Sequence, residues 1–173
     1  PEIEHIAIYG YLGVNLFFLI SGFVIAWSAE GREWQTFAVA RFARLYPGFL
    51  ACMIITWAVL MIWPHPVFPV SLKQFFANLF IFSPALGQKF VDGVYWSIVM
   101  ELIFYGWVAV MIAAGLFSRC KLQLITIWLA ISVVNEFFIQ SYPLKLLFLT
   151  EYSPLFASGV LVHHIASRGR SPE

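Results

Sequence analysis

Val94 to Leu116 reads VYWSIVMELIFYGWVAVMIAAGL, an apolar run carrying a single charge, Glu101. A helix crossing a hydrocarbon core of about 30 Å needs about 20 mostly apolar residues. This run meets that requirement, and four others do so around it. Ile6 to Ala29 carries no charge. Leu45 to Trp63 carries none either and stays uncharged through Leu72. Leu122 to Ile139 is apolar except for Glu136. Leu144 to Ile165 is apolar except for Lys145 and Glu151, with Pro154 and Gly159 expected to interrupt it.

The composition agrees. Of 173 residues, 61% are hydrophobic and only 11% charged, where soluble domains run to about 25% charged. A soluble fold of this size could not hide so much apolar surface. Disorder is excluded by the aromatic mass, and a disulfide scaffold by a cysteine count of two, Cys52 and Cys120. A net charge of +1 gives no electrostatic case for nucleic acid, so no nucleic-acid partner is expected. The expected fold is all-α: a polytopic transmembrane bundle with about five spans, forming one domain over residues 1–173. The chain starts at Pro1 and its first span would begin outside. It therefore reads as a fragment of a larger bundle with a helix upstream.

A sixth stretch, Leu72 to Phe82, is too short to cross. Its apolar residues at 72, 75, 76, 79, 80 and 82 fit a helical stripe. It reads as an interfacial or re-entrant helix in a loop punctuated by Pro64, Pro66, Pro69 and Pro84. With five alternating spans, Arg32, Arg41, Arg44, Arg119, Lys121, Arg168 and Arg170 fall on one side. Lys73, Lys89 and Lys145 fall on the other. The positive-inside bias makes the arginine side cytoplasmic.

Polar groups inside the spans narrow the function. A carboxylate in mid-membrane costs about 2.5–3.5 kcal/mol on insertion scales, so Glu101 is expected to face a bundle interior or a wet cavity. Ser97, Glu101 and Tyr105 are four residues apart and share one helix face, flanked by Trp96 and Phe104. Such a stripe can orient a polar ligand or simply tie helices together. Asn15 reads as buried in the first span and bonded to a neighbouring helix. Gly10, Gly13, Ser21 and Gly22 in that span permit close helix approach. Arg41 and Arg44, three apart on a helix face, can hold a pyrophosphate or a nucleotide phosphate, or snorkel to anionic headgroups. Glu136, Glu151, His163 and His164 read as interfacial, while His5 and His65 have no evident partner. No Cys/His cluster has metal-ligand spacing, so no metal is expected.

Three stretches in order carry a family resemblance: Gly10-Tyr-Leu-Gly13-Val-Asn15-Leu-Phe-Phe-Leu-Ile-Ser21-Gly22-Phe23, then Arg41-Phe-Ala-Arg44-Leu-Tyr46-Pro47, then Tyr95-Trp96-Ser97-Ile-Val-Met-Glu101-Leu-Ile-Phe104-Tyr105. A weaker fourth is Phe156-Ala-Ser-Gly159-Val-Leu. Together they resemble the acyltransferase 3 family of integral membrane acyltransferases, over nearly the whole chain. The resemblance implies a bacterial inner-membrane enzyme moving an acyl group, often acetyl, from acyl-CoA to a carbohydrate or glycolipid hydroxyl. Acyl-CoA would be a co-substrate, with membrane lipid around the protein and no separate cofactor.

The resemblance also implies that Arg41 and Arg44 bind the acyl donor, and that Asn15, Trp96, Ser97, Glu101 and Tyr105 bind or orient the acceptor. Asn15 stands where the family usually carries Asp. The family's catalytic His belongs to the helix before the glycine-rich stretch, upstream of Pro1, and His5 lies too close to Gly10 to be that residue. The catalytic base is therefore expected outside these residues, and the chain alone is expected to be inactive. A transporter or permease module, or an inert membrane interaction module, is the alternative that intramembrane polar groups and broken helices also allow.

Overall fold

The computed structural model describes Gly10–Arg168, with Ile6 to Tyr9, His5 and Arg170 outside that range. Seven α-helices form there, and no β-strand is present among the described residues. They are α1 (Gly10–Ala29), α2 (Trp34–Ile62), α3 (Leu72–Asn78), α4 (Trp96–Ala113), α5 (Leu116–Val134), α6 (Tyr142–Phe148) and α7 (Ser153–Arg168). Five helical segments are long and apolar enough to cross a membrane: Leu12–Ala29, Trp34–Ile62, Gly93–Ala113, Leu116–Ile139 and Tyr142–Arg168. The protein is an all-α integral membrane protein with five spans.

Several boundaries differ from the expected ones. The second span begins at Trp34 rather than Leu45, so Arg41 and Arg44 lie within the spanning helix itself. The fourth begins at Leu116, ahead of Arg119 and Lys121. An apolar run stops at its first charge, whereas the helix continues because long basic side chains bury their stems and keep their heads in polar surroundings. In the last span the break lies at Leu149–Tyr152, where Leu149 takes a left-handed conformation (φ 52°). Pro154 sits in the first turn of α7, which tolerates proline, and Gly159 is mid-helix.

The chain divides into two compact units. The first holds residues up to Ala38 together with Ile103 onward, and the second holds Val39–Leu102. In the first unit α1 packs along α7. An aromatic row ties the other helices to this pair: Phe18 meets Phe156 with ring centroids 4.8 Å apart, Phe156 meets Phe104 at 4.3 Å, and Phe104 stacks on Trp128 at 5.9 Å. Phe18 and Phe156 are fully buried. The short α6 is held by two indoles from neighbouring helices. Trp107 Nε1 donates to the Leu147 carbonyl at 2.7 Å, and Trp128 Nε1 donates to that of Phe148. These carbonyls lie in the last turn, where no helical partner exists.

Beyond α5 a single π turn, Asn135–Ile139, leads to α6. Asn135 is fully buried and organises the bend. Its amide donates to Thr150 Oγ1 at 3.2 Å, and its carbonyl oxygen accepts from the Ser141 N–H at 3.1 Å. Glu136 accepts from the Thr150 hydroxyl and pairs with Lys145 at 2.9 Å. It is thus tied into the bend rather than merely interfacial.

The second unit is built on α2. The Ser71 hydroxyl caps α3 by accepting from the Gln74 N–H at 3.1 Å. Phe75 packs on Trp57 at 4.7 Å, and the Tyr46 hydroxyl donates to the Leu79 carbonyl at 3.2 Å. From Trp57 back to Tyr46, α2 covers about 16 Å. The α3 segment therefore runs alongside this stretch of α2.

The apolar stripe of α3 is largely exposed. Leu72, Phe76, Phe80 and Phe82 are exposed, while Asn78 is buried and Gln74 half-buried. Asn78 donates to the carbonyls of Gln74 and Lys89 and accepts from the Val91 N–H, and Gln74 donates to the carbonyls of Lys89 and Phe90. In lipid, irregular backbone must be satisfied by protein, so the polar face turns in and the apolar face turns out.

Candidate functional site

Of the residues expected to act, Arg41, Arg44, Trp96, Ser97 and Glu101 fall in the second unit, and Asn15 and Tyr105 in the first. Arg41 is half-buried and Arg44 exposed, three residues apart on α2. Pro47 follows within the same helix. Having no N–H, it leaves the Ala43 carbonyl without its usual helical donor.

The start of α4 is built by a short 3-10 turn, Gly93–Tyr95, whose cap is Asp92. The Asp92 carboxylate accepts from the Val94 N–H at 3.0 Å. This turn lays the buried Tyr95 ring against Phe49 of α2, edge to face, with centroids 5.0 Å apart. That contact joins α2, which carries Arg41 and Arg44, to the start of α4, which carries Glu101.

Glu101 is 6% exposed, and Ser97 and Tyr105 are each 8% exposed. They share a face of α4, which is unbroken from Trp96 to Ala113. The Ser97 hydroxyl donates back to the Val94 carbonyl at 2.9 Å, closing the first turn of the helix. Trp96 is half-buried. Asn15 is half-buried rather than buried, three residues before Phe18 on the face of α1 that also carries Ile25 and Ala26.

The fourth stretch of the resemblance meets the first in space. Gly22 of α1 and Gly159 of α7 are in backbone contact, so that a Cβ on Gly159 would lie 2.9 Å from the Gly22 carbonyl carbon. Gly13 has nothing within 4 Å of its Cβ position. Between Gly13 and Gly22, it is Gly22 that makes the close approach.

Sequence reading missed one buried polar cluster. His163, read as interfacial, is only 5% exposed, with its ring edge-on to Phe23 at 5.4 Å. Its Nδ1 lies 3.7 Å from Glu30 Oε1, which also pairs with Lys121 Nζ at 3.0 Å. The signal was in the spacing along α7: His163 falls four and seven residues after Gly159 and Phe156, on the helix face that packs inward. His164 is half-buried.

Comparison with known proteins agrees with this architecture. A family model described as an acyltransferase domain matches residues 3–171. The chain is 39% identical over 66 residues to acyltransferase MdmB of Streptomyces mycarofaciens, a match covering 38% of this chain and 17% of that protein. No solved structure matches. With the family match running over almost the whole chain, this protein belongs to the acyltransferase 3 family of integral membrane acyltransferases.

Proposed function

We propose that the chain forms part of an enzyme that moves an acyl group, acetyl in the simplest case, from acyl-CoA to a carbohydrate hydroxyl. The observation that supports this reading is the buried carboxylate of Glu101 on a helix whose start, at Tyr95, packs on Phe49 of the helix that carries Arg41 and Arg44. Planar guanidinium groups match phosphate oxygens in a bidentate way, so the arginine pair would hold the donor's phosphates. The buried Glu101, with Ser97 and Tyr105 on its face of α4, would orient the acceptor. Trp96 would border it, and Asn15 of α1 is a further acceptor residue proposed from the family resemblance.

In the reaction, the acceptor oxygen attacks the thioester carbonyl. A C–O bond forms, the C–S bond breaks, and the thiol leaves with a proton. A histidine on the helix preceding α1 would take the acceptor's proton as general base. The chain's own residues would bind and align the two substrates, which by itself can supply much of the rate. The arginine-rich end would face the cytoplasm of a bacterial inner membrane, where acyl-CoA is available.

The test is acyl-CoA binding to the full-length protein carrying Arg41→Ala or Arg44→Ala. Each charged hydrogen bond is worth about 1.5–3 kcal/mol, so affinity should fall roughly 10- to 100-fold. Unchanged donor affinity in both variants would overturn the donor-site reading.

A further inference from the structure

Within the first unit, two spaces share the lining residues Phe117 and Lys121. One is an apolar cavity of about 180 Å³ among α4, α5, α6 and α7, walled by Phe104, Trp107, Met111, Trp128 and Phe148. The other, about 340 Å³, lies at the arginine-rich helix ends and is lined by Glu30, Arg32, Ser118 and Lys121. The non-helical backbone of Cys120 (φ −130°, ψ 19°) separates the turn carrying Phe117 and Ser118 from the helix that Lys121 begins.

Lys121 is the hinge between the two. Its side chain is 15% exposed, its stem lines the apolar cavity, and its ammonium reaches Glu30. Arg32 and Lys121 against Glu30 leave the polar space one positive charge in excess. The apolar cavity is bordered by Ile127, a residue 56% exposed on a span surface, where lipid chains are the solvent. A free phosphate would use only the polar half, and an alkane only the other.

We propose that this two-part slot binds one anionic phospholipid. Its monoanionic phosphodiester would sit on Arg32, Ser118 and Lys121, and one acyl chain would enter the cavity beside Phe117. The single negative charge of the headgroup matches the single excess charge of the polar half. The site is independent of the acyl-transfer reading, since none of the residues assigned to that reaction lines it.

The experiment is native mass spectrometry of the chain released from nanodiscs of phosphatidylglycerol mixed with phosphatidylcholine. One phosphatidylglycerol should stay bound, favoured about tenfold over phosphatidylcholine, since each basic side chain at an anionic surface is worth on the order of 1 kcal/mol. Arg32→Gln and Lys121→Gln should each erode that preference, Lys121→Arg should keep it, and Val108→Trp should expel the lipid by filling the cavity. Arg119→Gln, a basic position lining neither space, should change nothing. Arg32 is exposed, so its variant decides the charge question even where Lys121→Gln does not fold. Equal retention of both lipids, or wild-type retention in Arg32→Gln, overturns the proposal. So does displacement of the lipid by millimolar inorganic phosphate, which would mark a phosphate pocket, or by long-chain acyl-CoA, which would assign the slot to the donor.

Discussion

Gly22 and Gly159 meet where α1 crosses α7, and neither has room for a side chain. A Cβ on Gly22 would fall 2.2 Å from the Phe156 carbonyl oxygen, and one on Gly159 would fall 2.0 Å from that of Leu19. Both obstacles are backbone, which cannot turn aside as a flexible side chain would. Helices in lipid have no hydrophobic drive toward one another and rely on such close packing.

Gly22→Ala and Gly159→Ala should therefore each destabilise the protein by at least about 1–3 kcal/mol, the usual cost of overpacking. Gly13→Ala, with open space around it, should be neutral or stabilising by up to about 1 kcal/mol through helix propensity. Thermal unfolding in a fixed detergent compares the three. A Gly159→Ala variant as stable as Gly13→Ala would contradict the crossing.

Asn78 should matter more than its place in a loop implies. It makes three hydrogen bonds to the backbone of Gln74, Lys89 and Val91 and is 1% exposed. Asn78→Leu keeps the bulk but orphans those groups, each costing about 1–3 kcal/mol when buried. The expected result is faster proteolysis within residues 72–92, with the other spans still protected. A cleavage pattern identical to the parent would show that the α3 segment does not depend on Asn78.

The two polar contacts of the α5–α6 bend should differ in weight. Lys145→Ala removes a partly exposed ion pair with Glu136 and should cost about 0–1 kcal/mol. Asn135→Ala removes a buried amide that bridges Ser141 and Thr150, and should cost about 1–3 kcal/mol. Denaturant or thermal melts of both variants check the order, and a larger loss in Lys145→Ala would reverse it.

Glu101→Gln in the full-length enzyme should lower kcat by roughly 100-fold or more if the carboxylate takes part in proton handling or acceptor alignment, the usual range for such groups. Donor affinity should be unchanged. Tyr105→Phe, which removes one hydroxyl from the same face, should have a smaller effect on the same parameter. Normal turnover in Glu101→Gln would make the glutamate structural.

The sequence by itself determined the fold class, the number of spans and the family. Each of these rests on features that are local or ordered along the chain: apolar runs of sufficient length and three motifs in succession. What it could not reach depends on which face of each helix meets another. The α3 stripe is legible as an apolar helix face, but the hydrogen bonds from Gln74 and Asn78 to the Phe90 and Lys89 carbonyls that hold the segment leave no trace in its periodicity. Gly159 read as a helix break because glycine weakens an isolated helix, yet the helix continues and the glycine marks a backbone contact with Gly22. The break falls at Leu149–Tyr152, just ahead of Pro154, and indoles from α4 and α5 hold α6 beside it. Likewise the seating of Tyr95 on Phe49, which joins the helix of Arg41 and Arg44 to that of Glu101, is invisible in the sequence. Periodicity and composition are properties of a single helix, while register, crossing points and buried polar pairs belong to two helices at once, and only the folded chain specifies them.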